Sequence, residues 1–120
     1  MNKYVFVYGT LKKNKGANHF LSNAKFLGEG VIQGYEMYIV SYFPGIVKGN
    51  GKVRGEVYEV DEEILEMLDE YEGVPYLYER IKETVKLDNG KEIEAYLYLY
   101  KGDISSLEKA PTNSTDEYEF

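Results

Sequence analysis

Six glycines between residues 28 and 51 cut the first half of the chain into strand-length runs. They are Gly28, Gly30, Gly34, Gly45, Gly49 and Gly51. Residues 24–33, 35–40, 46–48 and 52–60 read as separate extended segments between them. Glycine spaced through strands lets a sheet bend, so the expectation is a curved sheet or a barrel. Phe43, Pro44 and Gly45 read as a turn. In the last run Val53 and Val57 share one face, and Arg54, Glu56 and Tyr58 the other. Gly55, in mid-strand, marks a bulge or leaves room for a ligand.

Strand signals also occur on either side. Residues 3–8, KYVFVY, are apolar on both faces, as suits a central strand covered from both sides. Gly9 ends that strand, and Tyr8, Gly9, Thr10, Leu11 and Lys12 form its exit loop. Successive N–H groups in such a turn can make an anion-binding concavity. Lys12, Lys13 and Lys15 read as a solvated basic run. Residues 17–23 read as a short helix burying Phe20 and Leu21, with His19 a packing or hydrogen-bonding residue. Near the other end, residues 78–87 and 92–101 alternate as strands around the hairpin turn Asp88-Asn89-Gly90. Tyr96, Tyr98 and Tyr100 fall on one face of the second, with their hydroxyls expected at a rim.

Between these sheets lies DEEILEMLDEYEGVP, residues 61–75. Asp61 can cap a helix whose first turn carries Glu62 and Glu63. On a wheel advancing about 100° per residue from Ile64, Leu68 lies at about 40°, Tyr71 at about −20°, Met67 at about −60° and Leu65 at about 100°. That arc is the expected buried stripe. Glu62, Glu66 and Glu70 lie opposite. Glu72 does not: it falls at about 80°, between Leu65 and Leu68. Gly73 then stops the helix and Pro75 forbids its continuation. A carboxylate on the packed face at a helix C-terminus has its ionised form disfavoured by burial and by the dipole, with Asp69 and Glu70 expected to push the same way. Such a group can take and return a proton near neutral pH. The alternative is a frayed last turn, with Glu72 in water or paired with Arg80.

Composition narrows the chemistry. The 120 residues fit one domain, read as residues 1–101, with a polar, partly ordered tail over 102–120 in which Ile104 and Leu107 can dock. No run approaches the roughly 18 apolar residues of a membrane span, and no basic segment leads into an apolar one, so a cytoplasmic protein without membrane partners is expected. A net charge of −7 argues against nucleic acid. With no Cys and a single His19, thiolate chemistry, a Ser–His–Asp triad and a His-rich metal site drop out, and no metal is expected. What remains is carboxylates, hydroxyls, Lys, backbone and thirteen tyrosines, some of which should line a concave surface.

Two stretches carry a resemblance together. One is Tyr8-Gly9-Thr10-Leu11-Lys12 with Gly16 and Asn18-His19. The other is Leu68-Asp69-Glu70-Tyr71-Glu72-Gly73 with Pro75, Tyr78 and Arg80. With Gly55-Glu56-Val57-Tyr58 between them, the chain over residues 3–100 resembles the gamma-glutamyl cyclotransferase-like superfamily, with the nearest likeness to gamma-glutamylamine cyclotransferases. The resemblance implies an α+β fold, a small mixed β-barrel flanked by short helices. It implies that Glu72 is the proton acceptor, and that Tyr8, Gly9, Thr10 and Leu11 contact the substrate through backbone amides, with Tyr78 near the pocket. Thr10 stands where many relatives carry Ser. The implied reaction is attack of a γ-glutamyl α-amine on its own side-chain carbonyl, releasing 5-oxoproline and an amine or amino acid, with no cofactor. Whether the loop amides hold a carboxylate or an oxyanion, which amine leaves, and the oligomeric state stay open. So does a second reading, a non-catalytic binding module on the same fold.

Overall fold

A computed structural model describes residues 3–120. Its strands are β1 (Lys3–Val7), β2 (Lys25–Ile39), β3 (Pro44–Val60), β4 (Tyr78–Leu87), β5 (Glu92–Tyr100) and the two-residue β6 (Glu108–Lys109). A 3-10 turn spans Asn18–Leu21, and one α-helix, α1, spans Glu62–Tyr71. The strands run in the order β3-β1-β5-β4-β2, and β2 pairs back onto β3, so five strands close into a barrel. The β1–β5 pairing is parallel and the other pairings are antiparallel, which makes the barrel mixed.

The four segments expected from residue 24 to residue 60 are two long strands instead. Gly28 and Gly34 sit at the two irregularities of the β2–β3 ladder, between Phe26 and Gly28 and between Gln33 and Tyr35. Gly45 and Gly55 stay in register. Gly55 is neither a bulge nor ligand space. A Cβ there would lie 2.5 Å from the Val7 carbonyl oxygen and 2.6 Å from Phe6 Cζ, so the glycine admits the neighbouring strand and its ring.

β1 is covered on both sides, and its alternation sorts two cores. Phe6 and Tyr8 point into the barrel with Ile32, Met37, Val57 and Leu97. Val5 and Val7 point outward and pack under α1 with Tyr58, Ile64, Leu65 and Leu68. Asp61 caps α1, accepting from the Ile64 N–H at 2.8 Å. The helix buries a narrower and shifted arc than expected. Ile64, Leu65 and Leu68 are buried, whereas Met67 and Tyr71 are each 40% exposed. Lying on the convex outside of a barrel, α1 covers the sector from about 0° to 100° and leaves its other flank to water. Glu72, at about 80°, belongs to the covered sector.

Residues beyond β5 lie along the barrel. β6 pairs with Tyr38 and Ile39 of β2. Further on, Tyr118 exchanges backbone hydrogen bonds with Arg54 and Lys52, both 2.8 Å. Arg54 holds Glu117 at 2.8 Å and Asp88 at 2.9 Å. Asn113 accepts from the backbone N–H groups of Thr115 and Glu117. Ile104 and Leu107 are half-buried.

Candidate active site

A cavity of about 130 Å³ opens where the exit loop of β1 meets the end of α1. Residues 7–11 form one wall, residues 42–44 a second, and Tyr71, Glu72, Leu77, Tyr78 and Tyr98 close it. All six residues singled out in the sequence are there: Tyr8, Gly9, Thr10, Leu11, Glu72 and Tyr78. Sequence patterns did not point to Tyr42, Leu77 or Tyr98 as pocket residues. The first two come from loops without periodicity. Alternation along β5 places the Tyr98 hydroxyl at a rim, but the residue is 2% exposed and its hydroxyl donates to Asp69 at 2.8 Å.

The exit loop is pinned by its carbonyls. Gly9 O accepts from the Lys12 N–H at 3.0 Å, Thr10 O from the Ala17 N–H at 3.0 Å, and Leu11 O from the Asn18 side chain at 2.8 Å. Among the described residues, no acceptor takes the N–H groups of Gly9, Thr10 or Leu11. All three residues line the cavity, so their backbone leaves three donors without a protein acceptor in its wall segment. Gly9 is needed for the wall's closeness, because a Cβ there would meet the Pro44 ring at 3.0 Å. The Thr10 hydroxyl is engaged with that of Tyr71 at 2.9 Å.

The tyrosine hydroxyls are likewise committed. Tyr8 donates to Tyr98 O at 2.7 Å and accepts from the Ile46 N–H at 3.4 Å. Tyr78 donates to Pro44 O at 2.7 Å. Burial holds all three phenols, Tyr8, Tyr78 and Tyr98, well above the ordinary tyrosine range, and the nearby Glu72 charge adds to each. None of them is a base near neutrality.

Glu72 is the single charged residue among those lining the cavity. It is not frayed: its N–H keeps the helical bond to Leu68 O at 2.9 Å, and Gly73 follows at φ 68°. Burial pushes its carboxyl up to about 7. Asp69 does not contribute as expected, because Arg80 holds it at 2.7 Å and Tyr98 at 2.8 Å; Glu70 is exposed. Arg80 is therefore occupied and does not neutralise Glu72. The cavity combines one acid poised near neutral pH with a wall of unclaimed N–H donors. Among the described residues, no group of three or more His, Asp or Glu is placed to hold a metal ion, and no helix is long and apolar enough to cross a membrane.

Comparison with known proteins gives a consistent set of relatives. The family model described as gamma-glutamyl cyclotransferase, AIG2-like, matches residues 5–120. A protein of Methanocaldococcus jannaschii is 48% identical over 103 residues, covering 82% of this chain and 84% of its own. A gamma-glutamylcyclotransferase family protein of Escherichia coli is 35% identical over 103 residues, covering 86% and 87%. The crystal structure of an AIG2-like protein from mouse superposes with a TM-score of 0.80 at 26% identity, over 98% of this chain and 95% of that one.

Proposed function

The chain belongs to the gamma-glutamyl cyclotransferase, AIG2-like family, and from that premise we propose that it cyclises γ-glutamyl amines to 5-oxoproline with Glu72 as the proton carrier. The substrate's α-nitrogen attacks its own γ-carbonyl carbon, a five-membered ring closes, and the amide C–N bond to the leaving amine breaks. Both reacting groups belong to one molecule, so holding the chain folded supplies much of the rate.

The α-ammonium must first lose a proton. A solvated carboxylate with a pKa of about 4.3 is badly matched to an amine at about 8. Glu72, at about 7, is much closer. After taking that proton it can return one to the departing nitrogen, which otherwise leaves as a high-energy anion. The free N–H groups of Gly9, Thr10 and Leu11 suit an anionic oxygen, whether the α-carboxylate or the oxyanion of the tetrahedral centre; a donor of the second kind is typically worth about 3 kcal/mol of barrier. Tyr8 and Tyr78, with their hydroxyls spent on the protein, serve as walls that fix the head group. The steps move protons and one acyl bond, so this chemistry calls for no cofactor.

The observation that carries the reading is a carboxyl, that of Glu72, lining the same cavity as a loop whose amide N–H groups have no protein acceptor among the described residues. Its test is mass-spectrometric detection of 5-oxoproline from γ-glutamyl amides with wild-type protein and with Glu72→Gln. The expectation is release by the first and none by the second, with matching circular dichroism. Wild-type turnover by Glu72→Gln would remove the base assignment. Saturable binding of the panel without turnover by either protein would favour a non-catalytic binding module.

A further inference from the structure

Glu56 is buried, at 7% exposure, and lies outside the cavity lining. The proton transfers assigned to Glu72 give it no part. Among the described residues, no ion pair engages its carboxylate. A buried charge without a counterion is unfavourable unless hydrogen bonds replace the water it loses. Glu56 has two, and one of them comes from the exit loop of β1. Its Oε1 accepts from the Lys13 backbone N–H at 3.0 Å and from the Tyr58 hydroxyl at 3.0 Å. The Lys13 ammonium lies instead over the Phe26 ring, at 3.4 Å.

The place of Glu56 in the barrel gives this contact its effect. On β3 it pairs with Val7, the last residue of β1. The chain then turns from Gly9 to Lys12, closed by the Lys12 N–H on Gly9 O, and Lys13 is the first residue beyond the turn. One residue therefore holds both stems of the turn containing Gly9, Thr10 and Leu11: the entry by backbone pairing, the exit by its side chain. The bonds form a circuit. Asn18 Nδ2 donates to Leu11 O at 2.8 Å and, at a longer 3.4 Å, to the Tyr58 hydroxyl, which donates in turn to Glu56. Neither the Asn18 amide nor the Leu11 carbonyl can turn without breaking a bond in it. Tyr58 also packs in the cluster under α1 with Leu65 and Leu68.

We infer that Glu56 is a positioning residue for the cyclisation: through the Lys13 N–H it sets where residues 9–11 stand in the cavity, and it touches no substrate itself. This rests on the cyclotransferase reading and adds a residue that acts from behind the site.

Two variants separate reach from charge. Glu56→Gln keeps the length and a carbonyl acceptor but not the charge. Glu56→Asp keeps the charge but is one methylene short of the Lys13 N–H. The test measures kcat/KM for 5-oxoproline release from a γ-glutamyl amide, at a temperature where both variants match wild type by circular dichroism. Glu56→Gln is expected to stay within about threefold of wild type, because a neutral acceptor still holds an N–H, though less strongly than a carboxylate. Glu56→Asp is expected to fall by roughly tenfold or more, as displaced binding groups lower the rate. The rising limb of the pH profile should not move in either, since the shift of Glu72 comes from its own burial. Hydrogen exchange at the Lys13 amide should quicken in Glu56→Asp and not in Glu56→Gln. Wild-type kcat/KM or unchanged Lys13 exchange in Glu56→Asp overturns the positioning role. So does a loss in Glu56→Gln as large as that in Glu56→Asp, or a displaced pH limb, which would make the charge the acting feature. Each of these leaves the cyclotransferase standing. No 5-oxoproline from wild-type protein with any γ-glutamyl amide overturns both.

Discussion

The hydroxyls of Thr10 and Tyr71 meet at 2.9 Å, joining the exit loop of β1 to the last residue of α1. The amide wall and the proton carrier thus sit on two elements tied by one hydrogen bond, with the Phe20 ring packed against Tyr71 at 4.9 Å. Removing either hydroxyl, by Thr10→Val or Tyr71→Phe, should lower kcat by roughly tenfold by loosening the wall relative to Glu72. The double variant should be no worse than either single one. In a thermodynamic cycle the pair should show a coupling of about 1 kcal/mol. Strict additivity would mean the contact does not position the loop.

The rate should follow the ionisation of Glu72. With its carboxyl at about 7, only the ionised form accepts the substrate's proton. The kcat/KM profile should therefore climb about tenfold per pH unit below 7 and flatten above it. A rising limb centred near pH 4.5 would show that Glu72 behaves as a solvated acid.

Stability should run the other way. The Glu72 carboxyl lies near 4.5 when unfolded and at about 7 when folded, so between those values the native protein binds more protons. Stability therefore falls as pH rises from about 4.5 to about 7, by on the order of 3 kcal/mol for this group. Glu72→Gln, neutral throughout, should be more stable than wild type at pH 8 and indistinguishable at pH 4.5. Urea midpoints at the two pH values measure this. Equal midpoints at pH 8 would contradict the burial of the acid.

Gly55→Ala should destabilise the fold by roughly 1–3 kcal/mol, since the new methyl overlaps the Val7 carbonyl and the Phe6 ring. Denaturant unfolding reads the loss. A neutral result would mean that β1 and β3 can part at no penalty.

Glu117 is held by Arg54, Asn113 and Thr115, which keep its carboxyl at about 2, well below the ordinary range. The stability it contributes is complete above about 4.5 and is lost as pH falls through 2. Glu117→Ala should speed hydrogen exchange at the Arg54 and Tyr118 amides, which cross-link this segment to β3, and leave Phe6 protected. Unchanged exchange at Tyr118 would show that the backbone bonds suffice without the carboxylate.

The parts of this architecture with a period were legible in the sequence. A short run apolar on both faces located β1, alternation located β4 and β5, and the helical wheel placed Glu72 beside Leu65 and Leu68. The wheel gives angles within α1 but not which sector meets the barrel, and so Met67 and Tyr71 were misplaced on the covered side. Glycine was the main ambiguity. A missing side chain looks the same in sequence whether it ends a strand or admits a neighbour, and Gly45 and Gly55 do the second. Tyr42, Leu77 and Tyr98 reach the cavity from three distant segments, and such convergence has no local signature. The anchoring of residues 108–120 rests on a two-residue pairing, backbone bridges and side-chain bonds, none of which leaves a repeat to read.

β1 is flanked by β3 on one edge and β5 on the other. Both partners are encoded after it, and β5 ends at Tyr100. A nascent chain leaving the ribosome therefore carries its most apolar strand half-paired until β5 has been translated. The barrel, and with it the meeting of residues 9–11 with Glu72, closes only once β5 has emerged, so products truncated before Tyr100 should be prey for chaperones and proteases rather than partly active fragments.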